Sequence, residues 1–285
     1  MPETTSSIVA LPGITLVCAD CAQPEAALLA LSICMAGCRF ERVLFFTDAA
    51  VEAPPGIEVI SIPRLSSRED YSRFMLKELV PHVGTDHALV VQWDGYVVHP
   101  QAWRDLFREY DYIGAVWHWH DDPYRVGNGG FSLRSRRLLL ALQDERIAVG
   151  TLPEDVVICR KNRALLERDH GIVFASEPVA RLFSYEREEV AQPTFGFHGV
   201  FNVHHHADDG QWTALIDALP ADMLASEDGL RMLAAAMAGK RMQPARAWGR
   251  RIVQARGRTG AAALVAPHLP AHIDAERFVG LLLGA

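Results

Sequence analysis

The sequence has no run of the ~18 uninterrupted apolar residues that would span a bilayer, so an integral membrane protein is not expected. It also lacks a basic stretch ahead of the apolar residues in MPETTSSIVALPG. That makes a poor secretory signal and leaves a cytoplasmic location as the expectation. Cysteine is sparse and odd in number: five in 285 residues cannot all pair. Cys18, Cys21, Cys34, Cys38 and Cys159 lie in apolar segments and read as buried free thiols of a reducing compartment. A zinc site from Cys18-x-x-Cys21 and Cys34-x-x-x-Cys38 is the weaker alternative, because zinc ribbons carry their pairs on turns. A basic surplus is missing too. Against 28 Lys and Arg stand 35 Asp and Glu, a net charge of −7, which argues against nucleic acid as a partner. Apolar material is plentiful: 49% hydrophobic and 22% charged residues exclude a disordered or low-complexity chain. The length suits one large domain, or one domain with a smaller appendage.

The first third has an α/β rhythm. Ile14–Cys18, Arg42–Thr47, Ile57–Ile62 and Ala88–Gln92 are short, β-branched and apolar, as buried strands are. Pro24–Gly37 has Pro in its first turn and Gly at its end, which predicts a helix, and Tyr71–Leu79 reads as a second. Near-continuous apolar strands imply a mainly parallel sheet covered on both faces. In such sheets ligands bind beyond the carboxyl ends of the strands. That rule selects Asp20, Asp48 and Asp94, although Asp also favours turns and helix starts for its own reasons.

The middle of the chain concentrates aromatics, glycines, acids and histidines. Trp117-His118-Trp119-His120-Asp121-Asp122 precedes Gly127-Asn128-Gly129-Gly130-Phe131-Ser132-Leu133-Arg134, followed by Pro153-Glu154-Asp155-Val156 and Phe195-Gly196-Phe197-His198-Gly199. Glycines let a backbone approach a ligand and aromatics give it flat faces. Asp94, at the end of an apolar strand, is placed to hold Mg²⁺ or Mn²⁺ on a diphosphate, since such ions take one or two carboxylates plus phosphate oxygens. Glu154 and Asp155 open an apolar helical segment, where acids are also favoured by the helix dipole. One of them facing a pocket would accept a proton from an attacking hydroxyl. His198, between glycines, is a candidate metal ligand. His204, His205 and His206 read as incidental.

Beyond His206 the chain turns Ala/Leu-rich, and residues 211–285 read as three or four short helices without a repeat, with turn signals at Pro220, Gly239-Lys240, Pro244, Gly257, Gly260, Pro267 and Pro270. Lys240, Arg241, Arg246, Arg250, Arg251, Arg256 and Arg258 occur there with no acid among them. They form a solvated basic face or a surface for peripheral docking to an anionic partner.

The ordered set of an apolar strand with Gln92-Trp93-Asp94-Gly95, then Gly127-Asn128-Gly129-Gly130-Phe131-Ser132-Leu133-Arg134-Ser135, Pro153-Glu154-Asp155-Val156 and Phe195-Gly196-Phe197-His198-Gly199 resembles the DUF5672 domains. That bacterial and fungal family is itself similar to nucleotide-sugar-dependent glycosyltransferases of the GT-A fold. The resemblance implies an α/β fold with a GT-A-like (Rossmann-like), mainly parallel mixed sheet flanked by helices over residues 8–206. A small C-terminal helical region, 207–285, follows. It implies transfer of a sugar from a nucleotide-diphosphate donor to a hydroxyl of a glycan, lipid-linked or protein acceptor, dependent on Mn²⁺ or Mg²⁺ and inverting. Asp94 and His198 would hold the metal, with Gln92 where the GT-A motif has its first acid. Asp20, Arg73, Lys77, Gln92, Asp94, Asn128, Gly129 and Gly130 would bind the donor, Trp119 and His120 the acceptor, and Asp155 or Glu154 would be the base. The alternatives are an inactive nucleotide- or glycan-binding module, a metal-dependent nucleotidyltransferase or hydrolase, and an interaction protein working through its basic C-terminal helices.

Overall fold

Alternating buried side chains build a six-stranded sheet in the computed structural model, which describes residues 8–188 and 191–284. The start of the segment read as a poor secretory signal, Met1–Ser7, lies outside the described residues. Two compact units divide the chain, one ending at Gly199 and the other beginning at Val200. In the first, β1 (Val9–Ala19), β2 (Cys38–Thr47), β3 (Glu58–Ser61), β4 (His87–Val91), β5 (Tyr112–Ile113) and β6 (Phe131–Ser135) lie in the order β3-β2-β1-β4-β6-β5. The ladders β3–β2, β2–β1 and β1–β4 are parallel, whereas β6 is antiparallel to both β4 and β5. The sheet is therefore mixed, with β6 the reversed strand. A short parallel pair, β7 (Ser184–Tyr185) and β8 (Gly196–Phe197), stands apart.

Both faces of the central strands are dry, whereas the edge strand β3 is largely exposed rather than buried as its apolar residues predict. Val17, Ala19, Leu44, Phe46, Ala88 and Val90 share a core with Phe74–Leu76, Leu138, Leu139 and Val157–Cys159. The alternate residues Leu16, Cys18, Val43, Phe45, Leu89 and Val91 point the other way and are equally buried. Helix α1 (Pro24–Gly37) joins β1 to β2 and has the bounds that its Pro and Gly signals predict. Helix α2 (Arg68–Arg73) widens at once into a π-helical turn, Phe74–Glu78, closed by the Leu79 N–H to the Phe74 carbonyl. The same device follows α4 (Glu154–Val156), with a π turn over Val157–Lys161; α3 (Arg136–Ala141), α5 (Arg163–His170) and α6 (Glu177–Phe183) complete the unit. All five cysteines are buried free thiols.

The second unit is helical: α7 (Val203–His206), α8 (Asp209–Ala218), α9 (Ala221–Leu224), α10 (Glu227–Ala238), α11 (Met242–Val265) and α12 (Ala275–Leu283). Six helical pieces thus begin from Asp209 on, more than the expected three or four, because α11 is two helices that meet at a kink. Pro244, read as a turn, sits in the first turn of α11, where a missing N–H breaks no intrahelical bond. The break in α11 falls at Gly257, another of the expected turn signals, which has positive φ. Arg241 bonds Asp209 at 2.6 Å and lies over the Trp212 ring. Arg251 donates to the Leu219 carbonyl at the end of α8, and Arg256 pairs with Asp222. Three of the seven basic residues therefore bond within their own unit. No helix among the described residues is long and apolar enough to cross a membrane.

Trp248 anchors this unit: it is fully buried, and its indole N–H donates to the Leu224 carbonyl at 3.0 Å. Trp248→Ala should lower stability by about 3–5 kcal/mol in urea unfolding of the full chain, the usual cost of emptying such a site.

Candidate functional site

Strand pairing brings the site together. In the parallel ladder Val17 pairs with Val90, so the residues after β1 and β4 emerge side by side. Here the strand order reverses, because β1 leads to β2 on one flank while β4 lies on the other, and α/β sheets open a crevice at such a point. In the antiparallel ladder Val91 pairs with Phe131, so Gln92–Gly95 after β4 meets Asn128–Gly130 before β6. A bridge from Val97 to Gly196 then carries His198 to the same place. The loop is tied on both sides of the imidazole: the His198 N–H donates to the Tyr185 carbonyl and the Gly199 N–H to the Asp94 carbonyl, both at 2.9 Å.

A cavity of about 680 Å³ opens there, and its walls include Arg68, Tyr71, Gln92, Trp117, Trp119, His120, Asn128–Gly130, Glu154, Asp155, Glu186, Arg187 and His198. A smaller cavity of about 190 Å³ shares Tyr71 and Gln92 and is lined by Asp20, Gln23, Ser67 and Trp93. Nine of the thirteen residues expected at the site therefore line the larger cavity, and Asp20 lines the smaller. Asp94 stands behind His198, with its Oδ1 3.5 Å from the imidazole Nε2.

His198 is surrounded by acceptors. Besides Asp94, Glu186 Oε1 lies 3.4 Å from Nδ1 and Gln92 Oε1 lies 3.2 Å from Nε2. Burial alone would lower its pKa, but Asp94 and Glu186 raise it to about 10. Asn128 Nδ2 is 3.0 Å from Nδ1. Asn128 itself has φ +65°, a left-handed conformation that few side chains other than Asn tolerate. Gly130 admits the ring: a Cβ there would stand 2.1 Å from His198 Nε2 and 2.8 Å from Gln92 Oε1.

The two neighbouring acids have separate environments. Glu154 is buried and pairs with the wholly buried Arg134 at 2.8 Å. Arg134 also donates to the Gly129 carbonyl and to Ser132 Oγ, which itself donates to the Gly129 carbonyl. The pair thus pins the backbone of the glycine loop. Asp155 accepts the Gly129 N–H at 3.0 Å and the Val156 N–H at 2.7 Å. Desolvation, then the Glu154 charge, raises its pKa above the carboxylate range, although both hydrogen bonds and Arg134 oppose the shift. That raised proton affinity suits Asp155 to proton transfer.

Three expected site residues have other work. Asp20 Oδ1 accepts the N–H groups of Ala22 and Gln23, a turn that leads into α1, and burial raises its pKa. Arg73 pairs with Asp70 at 3.0 Å and does not line the cavity. Lys77 donates to the carbonyls of Leu142 and Asp144, away from it. The π turn is the reason: a four-residue spacing marks one face only in an α-helix. The cations that reach the cavity are Arg68, at the start of α2, and Arg187. Arg68, Tyr71, Trp117, Glu186 and Arg187 were not singled out by sequence reasoning. Of these only Trp117 stood in a segment that composition had marked.

A divalent cation fits this donor set in part. Neighbouring ligands of an octahedral ion at about 2.1 Å lie about 3 Å apart. Gln92 Oε1 and Asp94 Oδ1 stand 3.2 and 3.5 Å from His198 Nε2. Among the described residues no group of three or more His, Cys, Asp and Glu is arranged to hold a metal. An amide oxygen and ligand oxygens would have to complete the sphere.

The family model described as "Protein of unknown function (DUF5672)" matches residues 56–198. The chain belongs to the DUF5672 family. The match runs from the approach to β3 through to His198 and takes in every residue of the larger cavity. No curated protein matches the chain.

Two tests follow from this geometry. Glu154→Gln leaves Arg134 buried without its counter-charge and should cost about 3–5 kcal/mol in chemical denaturation. Gly130→Ala displaces the His198 ring from Asp94. In NMR titration of the metal-free protein His198 should then protonate closer to 6.5, whereas in the parent chain it should stay an imidazolium through neutral pH.

Proposed function

We propose that this DUF5672 protein transfers a sugar from a nucleoside-diphosphate donor to an acceptor hydroxyl, with inversion. One observation carries the reading: Asp94 and His198, remote in sequence, lie 3.5 Å apart beyond the end of β4, and His198 shares a cavity with a base-like Asp155. Support also comes from the crevice at the reversal of strand order, where nucleotides bind in open α/β sheets, and from the GT-A-like ordering of the sequence motifs.

In this reading the smaller cavity beside Asp20 takes the nucleoside, and Arg68 and Arg187 face the diphosphate. Gln92, Asp94 and His198 would hold Mn²⁺ or Mg²⁺, which supplies positive charge to the leaving diphosphate. Asn128–Gly130 presents close backbone to the sugar. Trp119, 48% exposed at the rim, gives the acceptor a flat face beside His120. Asp155 Oδ takes the proton of the attacking hydroxyl, and the Gly129 and Val156 N–H groups hold the carboxylate in place. A binding module without turnover is the second reading. Gln92 and the two backbone bonds that already engage Asp155 favour it.

Calorimetric titration with UDP and GDP, with and without Mn²⁺, should show binding of one nucleotide strengthened by the metal; no binding of either would sink the proposal. Asp155→Asn should keep donor binding and reduce transfer by about 10²–10⁴-fold, the usual range for a lost general base. Because the base acts deprotonated and its pKa is raised, kcat/KM should fall with decreasing pH along a limb that lies above the ordinary carboxylate range near 4. Transfer by Asp155→Asn at the parent rate would reject the assignment.

A further inference from the structure

The helix dipole favours acids over the first turns of a helix and cations over the last. Helix α11 does the reverse. Lys240 precedes it, Arg246 and Arg250 follow in its first half, and no acid stands in its first turn. The stability of α11 gives no reason for those cations there. Arg241, Arg251 and Arg256 bond within the helical unit. Arg246 and Arg250 do not: both are exposed, and among the described residues neither side chain forms an ion pair or a hydrogen bond. Four residues apart on a regular stretch of helix, they share one face. Gln243 and Gln254, also exposed, extend that face by a turn in each direction without adding charge.

Helix α12 widens the surface. It packs so closely on α11 that a Cβ at Gly249 would stand 2.7 Å from Leu282 Cβ, and a Cβ at Gly284 would stand 3.9 Å from Arg246 Cζ. One turn before Gly284 comes Leu281, 48% exposed, and one turn before that comes the exposed Arg277. Asp274 is committed to capping the Arg277 N–H, which leaves Glu276 as the exposed acid of this helix. Phe278, between Arg277 and Leu281, forms part of the wall of a cavity of about 490 Å³ with Leu230, Leu233, Met237, Val265 and Leu269. The charged residues of that wall, Glu227 and Arg231, neutralise each other. Unpaired arginines beside exposed apolar surface make the pattern of a helix that lies in a bilayer interface. A lipid surface answers both parts, with phosphate headgroups for the arginines and acyl chains for Leu281.

We propose that Arg246, Arg250, Arg277 and Leu281 form a docking face for an anionic phospholipid bilayer. No described helix is long and apolar enough to cross it, so the contact is peripheral. The inference does not depend on the glycosyl-transfer reading, since neither donor nor metal enters it. The chain as a whole carries −7, and net charge alone predicts repulsion from such a surface. Attraction must come from this face, because at physiological salt charges more than about 8 Å away are screened while those in contact count.

Vesicle flotation of the full chain tests the proposal, with phosphatidylcholine vesicles compared with phosphatidylcholine–phosphatidylglycerol ones. Heparin beads serve as a polyanion that has no acyl chains. The chain should float with the anionic vesicles, not with the neutral ones, and should be released as salt is raised. Arg246→Gln combined with Arg250→Gln, both exposed changes to a good helix former, should lower the partition coefficient about 25-fold, at about fivefold per arginine. Leu281→Asn should lower it about tenfold and leave heparin binding unchanged. Arg256→Gln, on the same helix but paired with Asp222, should change it less than about twofold. Failure to float with anionic vesicles would overturn the proposal, and so would equal binding to neutral ones. An equal loss in Arg256→Gln would overturn it by making net charge the cause. Indifference to Leu281→Asn would overturn it in favour of a soluble polyanion as the partner.

Discussion

The site depends on one constraint of backbone pairing. Because β6 runs antiparallel to β4, the end of one strand must meet the beginning of the other, and Val91 opposite Phe131 sets which residues meet. A parallel β6 would have carried Asn128–Gly130 to the opposite edge of the sheet. The parallel β1–β4 ladder adds Asp20 from the other flank, and the Val97–Gly196 bridge adds His198. Four segments separated in sequence thus converge without any one of them adopting an unusual path. Among the converging segments the left-handed backbone falls at Asn128 and at Gly199, just after His198.

Holding charge in such a place is a problem that the buried pair of Arg134 and Glu154 resolves. A lone carboxylate under the glycine loop would be costly to desolvate, and so would a lone guanidinium. Together, with Ser132 and the Gly129 carbonyl taking further guanidinium N–H groups, they form a rigid floor. The neighbouring acid then acquires its character by contrast. Asp155 is cut off from water and lies next to a negative charge that is committed elsewhere, and so it holds its proton more tightly than an exposed aspartate does. Two adjacent carboxylates are in this way driven into different environments, the pattern that separates a structural acid from a reactive one.

Much of this was legible in the residues. Three of the four early strands and α1 declared themselves through apolar runs and end signals, because those elements are buried and regular; β3 was found by its alternation and by Pro63, but as an edge strand it is largely exposed rather than buried. The aromatic, glycine and acid segments pointed to the cavity, since such compositions have few other uses. What failed to show was geometry. Nothing in Arg73 and Lys77 reveals that the helix beneath them widens into a π turn, and only an α-helix would have set them on one face. Arg68, Glu186 and Arg187 lie in stretches of mixed charge that read as solvated surface. The reversal of β6 was equally hidden, because a short strand buried on both faces has the same pattern whichever way it runs. In the second unit Pro244 misled for a simple reason: proline marks a turn and the start of a helix alike.

The neutral residue at position 92 also has an electrostatic logic. Asp94 and Glu186 already flank a single imidazole, and Glu154 and Asp155 line the same cavity. A further carboxylate in contact with His198 would add repulsion against Asp94 at short range in any state without a bound cation, and one of the acids would then have to take up a proton. Glutamine keeps an oxygen at that position and leaves the charge balance around His198 unchanged. The consequence is a weaker claim on a free ion, since an amide oxygen brings no charge. Under the proposed glycosyl transfer, a cation held in that way would gain its affinity chiefly from the phosphate oxygens that arrive with it, so metal and nucleotide uptake would become one coupled event rather than two separate ones.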